Sequence, residues 1–124
     1  MKKKTIRNII LPVLGILLFH ACTSDFIVSD LAPVPPGKVF TLSGDVQPIF
    51  TSKCIGCHTA GVTNPDLTVG HSYNNLMTMN LVDTLNPAQS VIYVKITTGD
   101  MAGFCTPSDA QTILEWIKQG AKNN

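Results

Sequence analysis

Cys54, Cys57 and His58 stand in the segment C-I-G-C-H, two thiols three positions apart with an imidazole directly behind them. Three chemistries use such a set: a zinc site, a thiol–disulfide couple and covalent attachment of a haem. A structural zinc wants four ligands, usually in pairs. Beyond this segment the sequence offers Cys105, His71 and carboxylates, with no second pair. A redox C-x-x-C places its first thiolate at the N-terminal end of a helix inside a βαβ framework. Here the helical pattern precedes the motif and no strand leads into it. Haem attachment uses every residue of the motif. Thiols three apart on one helical turn face the same way and can add to the two vinyl groups along one side of a porphyrin, and the adjacent imidazole can meet the iron. That attachment takes place outside the cytoplasm, so the reading requires a chain that is exported.

An export signal is present. Lys2, Lys3, Lys4 and Arg7 precede the unbroken apolar run from Ile9 to Phe19. A basic stretch followed by a run of that length has the form of a secretory signal and is short for a membrane-spanning helix. The run ends in L-L-F-H-A-C, which resembles the lipobox of bacterial lipoproteins. The expectation is a signal peptide over residues 1–21 and a lipidated Cys22 anchoring the chain to a bacterial membrane, on its periplasmic or outer face. Ordinary cleavage near Ala21 is the alternative, and it also exports the chain.

The chain has 124 residues, 44% hydrophobic and 14% charged, the balance of one small globular domain. Its formal charge of +1 depends on the four basic residues at the start. From Cys22 onward five lysines face seven aspartates and Glu115, leaving −3 and no arginine. Such a domain has no basic patch for phosphates and is not a nucleic-acid binder.

The elements that must position the motif are few. Thr23 to Phe40 is proline-rich and without sustained period, so residues 22–42 read as a tether and residues 43–124 as the folded domain. In S-G-D-V-Q-P-I-F-T-S-K-C, Ser43 or Asp45 is suited to cap a helix and Pro48 falls in its first turn. Val46, Ile49, Phe50 and Cys54 then share one face, and the helix delivers the chain into C-I-G-C-H. Residues 59–85 read as loop, with a short helix over Ser72 to Thr78. The segment N-P-A-Q-S-V-I-Y-V-K-I-T reads as a helix capped by Asn86 and opened by Pro87, against a β-branched run that favours a strand. In the last helix Thr106 caps, Pro107 opens and Gly120 stops. Its apolar stripe is Ala110, Ile113, Leu114, Ile117 and Ala121, with Trp116 at the border.

With D-V-Q-P-I-F-x-x-x-C-x-x-C-H at the front, S-V-I-Y-V-K-I-T-T-G-D-M in the middle and I-L-E-W-I-K-Q-G-A at the end, residues 43–122 resemble the class I monohaem cytochromes c, especially the lipoprotein-borne domains of the planctomycete and bacteroidete type. The resemblance implies an all-α fold, three to four helices wrapped round one covalently attached haem c. It implies thioethers at Cys54 and Cys57, His58 as proximal iron ligand and a methionine before the last helix as distal ligand, which here is Met101. It also implies that the first and last helices cross, with Phe50 against the Trp116 end. Family members of this type usually continue Met-Pro-Pro-Gly, whereas Met101 is followed by Ala102, Gly103 and Phe104. Met77, Met79 and His71 are the competing ligands. Cys105 is left over, as a small buried residue, an iron ligand or an intermolecular disulfide partner. Tyr73, Asn74, Asn75, Tyr93, Lys95 and Trp116 are the candidate donors to haem propionates. The function expected is single-electron transfer between a redox protein donor and acceptor, without enzymatic activity. The rivals are a haem enzyme or gas sensor, and an accessory haem subunit of a larger redox complex.

Overall fold

The computed structural model describes residues 33–124, so the signal-peptide reading and Cys22 lie outside the described residues. The described residues are all helix, turn and loop, with no strand among them. A π-helical turn, Leu42–Val46, runs directly into α1, Gln47–Lys53. Then follow α2, Ser72–Thr78, a 3₁₀ turn, Pro87–Gln89, α3, Val91–Thr97, and α4, Pro107–Lys118.

The first helical segment starts earlier than its capping residues suggested. Thr41 is the cap, its hydroxyl accepting from the Gly44 N–H, while the Asp45 carboxylate accepts from the Thr41 N–H at 2.8 Å. Neither Ser43 nor Asp45 caps the helix: Asp45 lies inside the turn and reaches back to Thr41. Phe40 and Leu42 are both buried in the core, ahead of Ser43. Gln119 fixes this entry, with its side-chain carbonyl accepting from the Phe40 N–H (2.8 Å) and its amide donating to the Lys38 carbonyl (2.9 Å).

The 3₁₀ turn and α3 are two elements where the sequence suggested one. Asn86 and Pro87 open only the 3₁₀ turn, and Ser90 (φ −53°, ψ 132°) breaks the path before Val91. Ser90 is buried because its hydroxyl serves the preceding loop, accepting from the Asp83 N–H at 2.9 Å and donating to the Asp83 carbonyl at 3.2 Å. A side chain so committed competes with helical continuation through its residue.

α4 follows its sequence signals. Thr106 and Asp109 form a reciprocal capping box, and Gly120, at φ +96°, takes the left-handed conformation that ends the helix. The N–H of Ala121 bonds the Trp116 carbonyl, and that of Gly120 the Ile117 carbonyl. Trp116 is not a border residue: it is fully buried, and its indole N–H donates to the Lys122 carbonyl at 3.0 Å. A large ring whose polar atom has a partner belongs inside. α4 packs on α3 and on the Leu42–Val46 turn, so the start and the end of the domain meet through that turn. Phe50, Leu76, Ile113, Trp116 and Ile117 share one core with Val46.

Candidate functional site

α1 carries Ile49 and Phe50 into the core, and the chain stays coiled beyond it. The Cys54 N–H bonds the Phe50 carbonyl at 2.8 Å, the Cys57 N–H bonds the Cys54 carbonyl at 3.1 Å, and the His58 N–H bonds the same carbonyl at 2.8 Å. This turn holds the two thiols and the imidazole together on the rim of a cavity of about 480 Å³. Phe50, Leu67, Leu81, Ile92, Ile96 and Ile113 supply its apolar walls, from α1, α3, α4 and the loops between them. Its size falls within the range of small-molecule and cofactor sites.

His58 is held by its neighbour in space. Its Nδ1 lies 3.2 Å from the Pro65 carbonyl oxygen, which can only accept, so Nδ1 is the donor in this contact. That arrangement suits a metal-ligating histidine. The Pro65 loop is braced in turn. The Leu67 N–H bonds the His58 carbonyl (3.0 Å), the buried Gln47 amide donates to the Leu67 carbonyl (2.9 Å), and the Ser72 hydroxyl donates to the Gln47 side-chain oxygen.

Met101 also lines the cavity, half-buried against the core. In place of two prolines, backbone bonds hold its loop to the end of α3. The Met101 N–H bonds the Lys95 carbonyl at 3.0 Å, and the Phe104 N–H bonds the Met101 carbonyl at 3.1 Å. Gly99 permits this return, because a Cβ there would stand 2.8 Å from the Lys95 Cα. Of the competing ligands, Met79 lines the same cavity and is about 43% exposed. Met77 packs on the core instead, and His71 is an exposed residue before α2. Neither lines the cavity.

Two ion pairs border the site. Lys53 Nζ lies 2.6 Å from Asp109 Oδ2, joining the end of α1 to the start of α4, and Lys95 pairs with Asp100 at 3.0 Å. Of the six side chains considered as propionate donors, Lys95 alone lines the cavity. Tyr73 and Asn74 line a separate, smaller cavity beside Asn124. Lys53, counted in the sequence only as a charge, is the second cation on the cavity lining.

Cys105 joins Cys54 and Cys57 on that lining. Burial first, then the neighbouring Cys105 thiol, pushes the Cys54 thiol up to about 11. Burial also raises the Cys105 thiol. Cys57 is exposed. No group of three or more His, Cys, Asp or Glu side chains arranged to hold a metal ion occurs among the described residues.

No family model, curated protein or solved structure matches this chain.

The residues fit a haem on three counts of geometry. Both thiols of the motif and the imidazole border one apolar cavity, the imidazole's Nδ1 is engaged by a backbone carbonyl, which leaves Nε2 for a metal, and a thioether from a distant segment lines the same space. The Pro65 carbonyl was not foreseeable from sequence, since every residue offers a carbonyl and only the fold selects one.

Proposed function

We propose that the chain is an exported, membrane-tethered monohaem cytochrome c, of the class I fold, that carries single electrons between redox proteins outside the cytoplasm. The observation that supports this best is the convergence of Cys54, Cys57, His58 and Met101 on one apolar cavity. Haem c bound there supplies a one-electron iron couple. Cys54 and Cys57 hold it as thioethers. His58 would hold the iron through Nε2, its ring fixed by the Pro65 carbonyl, and Met101 would supply the second protein ligand. Phe50, Leu67, Ile92 and Ile113 exclude water from the couple, which keeps its surroundings of low dielectric constant in both oxidation states. With His58 and Met101 both on the iron, no ligand position would be left for a substrate, which supports a carrier over an enzyme. Lipid on Cys22 anchors it to the membrane, and the proline-rich segment ahead of Lys38 gives it reach towards a donor and an acceptor.

Carbon monoxide tests the carrier reading. The reduced full-length protein is expected to bind it slowly and weakly, because a thioether must leave first. Rapid binding by a five-coordinate species would overturn the carrier reading in favour of a haem enzyme or gas sensor. Met79, on the same lining, supports a second ligand assignment that leaves the function as proposed.

A further inference from the structure

The segment that brings Met101 to the cavity turns back on α3 more closely than an ordinary residue allows. A Cβ on Gly99 would stand 2.8 Å from the Lys95 Cα, 3.1 Å from the Lys95 carbonyl oxygen and 3.3 Å from the Val94 carbonyl oxygen. Non-bonded carbon atoms pack at about 3.5–4.0 Å, so the first contact is an overlap, and the atoms in the way are backbone. Of the described glycines, Gly99 is the one set so closely on backbone. A Cβ on Gly44 would meet a side-chain oxygen of Thr41, and the others face open space. Gly99 is also outside the group with positive φ, Gly37, Gly61, Gly70 and Gly120, so its position requires room and not backbone freedom. The close approach is used. The Gly99 N–H bonds the Val94 carbonyl at 2.9 Å, the Met101 N–H bonds the Lys95 carbonyl at 3.0 Å, and the Ala102 N–H bonds the Gly99 carbonyl at 3.2 Å. Lys95 touches the same loop a second time, its ammonium 3.0 and 3.1 Å from the two Asp100 carboxylate oxygens, but an exposed pair of this kind adds little.

We infer that Gly99 is a positioning residue for Met101: its bare Cα lets the loop close onto Lys95, and that closure sets the Met101 thioether at the depth in the cavity where it can serve as a ligand. The inference deepens the haem reading above and rests on it. Two prolines after a methionine would stiffen its loop from the far side by fixing φ. Here Ala102 and Gly103 follow Met101, and the constraint stands before it, in the contact of residue 99 with α3. An alanine at 99 has to move back by about 1 Å to recover ordinary packing. Metal–ligand distances hold to within about 0.2 Å, so a displacement of that size, carried two residues on, takes the thioether out of reach. The same movement draws the Met101 N–H away from the Lys95 carbonyl. Gly103, in the same loop with open space around it, has no such part.

The test uses the full chain matured with haem and reads amide hydrogen exchange at Met101, Ile96 and Ile113 beside the near-infrared sulfur-to-iron band. In the wild type the Met101 amide is expected to be protected together with that of Ile96 in α3, and the band to be present. Gly99→Ala is expected to lose both the Met101 protection and the band, while Ile113, buried in α4, stays protected and the haem stays attached. Gly103→Ala is expected to keep protection and band alike. A Gly99→Ala protein that keeps the band, or a Gly103→Ala protein that loses it as fully, would overturn the inference. Should Gly99→Ala lose protection at Ile113 as well, the wild-type amide decides: protection at Met101 matching that at Ile96 upholds the closure, and exchange at the rate of an open loop overturns it. The haem reading is scored separately. A wild-type band that Met101→Ala removes and Gly99→Ala leaves sinks the inference alone. Covalent haem without that band, or with a band that Met79→Ala removes, sinks the Met101 assignment and the inference with it. A chain that never takes haem sinks the reading on which both rest.

Discussion

Met101 and Met79 are the two methionines on the cavity lining, and a single substitution at each separates them. A thioether ligand gives low-spin iron with a weak near-infrared sulfur-to-iron band and favours the ferrous state. Met101→Ala is expected to remove that band, open the iron to carbon monoxide and lower the reduction potential, whereas Met79→Ala leaves all three unchanged. Absorbance and redox titration read the difference. Survival of the band in Met101→Ala and its loss in Met79→Ala would transfer the ligand to Met79. Part of the cavity lining was legible at this scale: spacing grouped Cys54, Cys57 and His58, the resemblance pointed to Met101, and all four line the one cavity. The partners that set them were not. Pro65 acts through its carbonyl, and Lys53 through a carboxylate 56 positions away, and neither leaves a mark in residue type or period.

At the scale of elements, Asp109 does two jobs with one carboxylate. It closes the α4 capping box with Thr106, accepting from the Thr106 N–H at 2.8 Å, and it takes the Lys53 ammonium from α1. Asp109→Ala removes a cap and an inter-element ion pair, and is expected to cost about 1–2 kcal/mol, seen as a lowered Tm at neutral pH. Burial works to raise the Asp109 carboxyl, but the Lys53 and Thr106 hydrogen bonds outweigh it and hold it below its ordinary value. A carboxyl with its folded pKa below the unfolded one contributes stability above the unfolded value and loses it as pH falls through the folded one. The Tm gap between wild type and Asp109→Ala is therefore full at pH 7 and closes as pH drops below about 4. Gln47→Leu tests the brace behind His58. Leaving the Leu67 carbonyl without its donor is expected to cost about 1–3 kcal/mol in urea unfolding, with faster hydrogen exchange at the Leu67 amide. α4 was legible end to end because cap, proline, stripe and stop agree along one segment. The start of α3 was not, because the Ser90 hydroxyl is spent on the Asp83 loop, a local contest that a helical period does not register.

For the whole molecule, the all-α class that the resemblance implied agrees with the described residues, which are helical without a strand, while the lining of the cavity was not legible, since no periodicity reports where four short helices fail to close on one another. A domain of about eighty residues buries a small core, and the proposed haem, a large apolar plate, would add area that the helices alone do not supply. The proposed tether is tested at the same scale. Cys22→Ser is expected to move the protein from the membrane to the soluble fraction with its absorbance unchanged, and retention on the membrane would mean an uncleaved anchor or a protein partner. The central claim, a haem bonded covalently to Cys54 and Cys57, is tested most directly by expressing the full chain with its own signal in a host that matures c-type cytochromes, then extracting with acid acetone and running a denaturing gel stained for haem. The haem is expected to stay with the chain in the wild type and to be lost in the Cys54→Ala, Cys57→Ala double variant. Colour that passes wholly into the organic phase from the wild type, or a purified chain that carries zinc instead, would contradict the account.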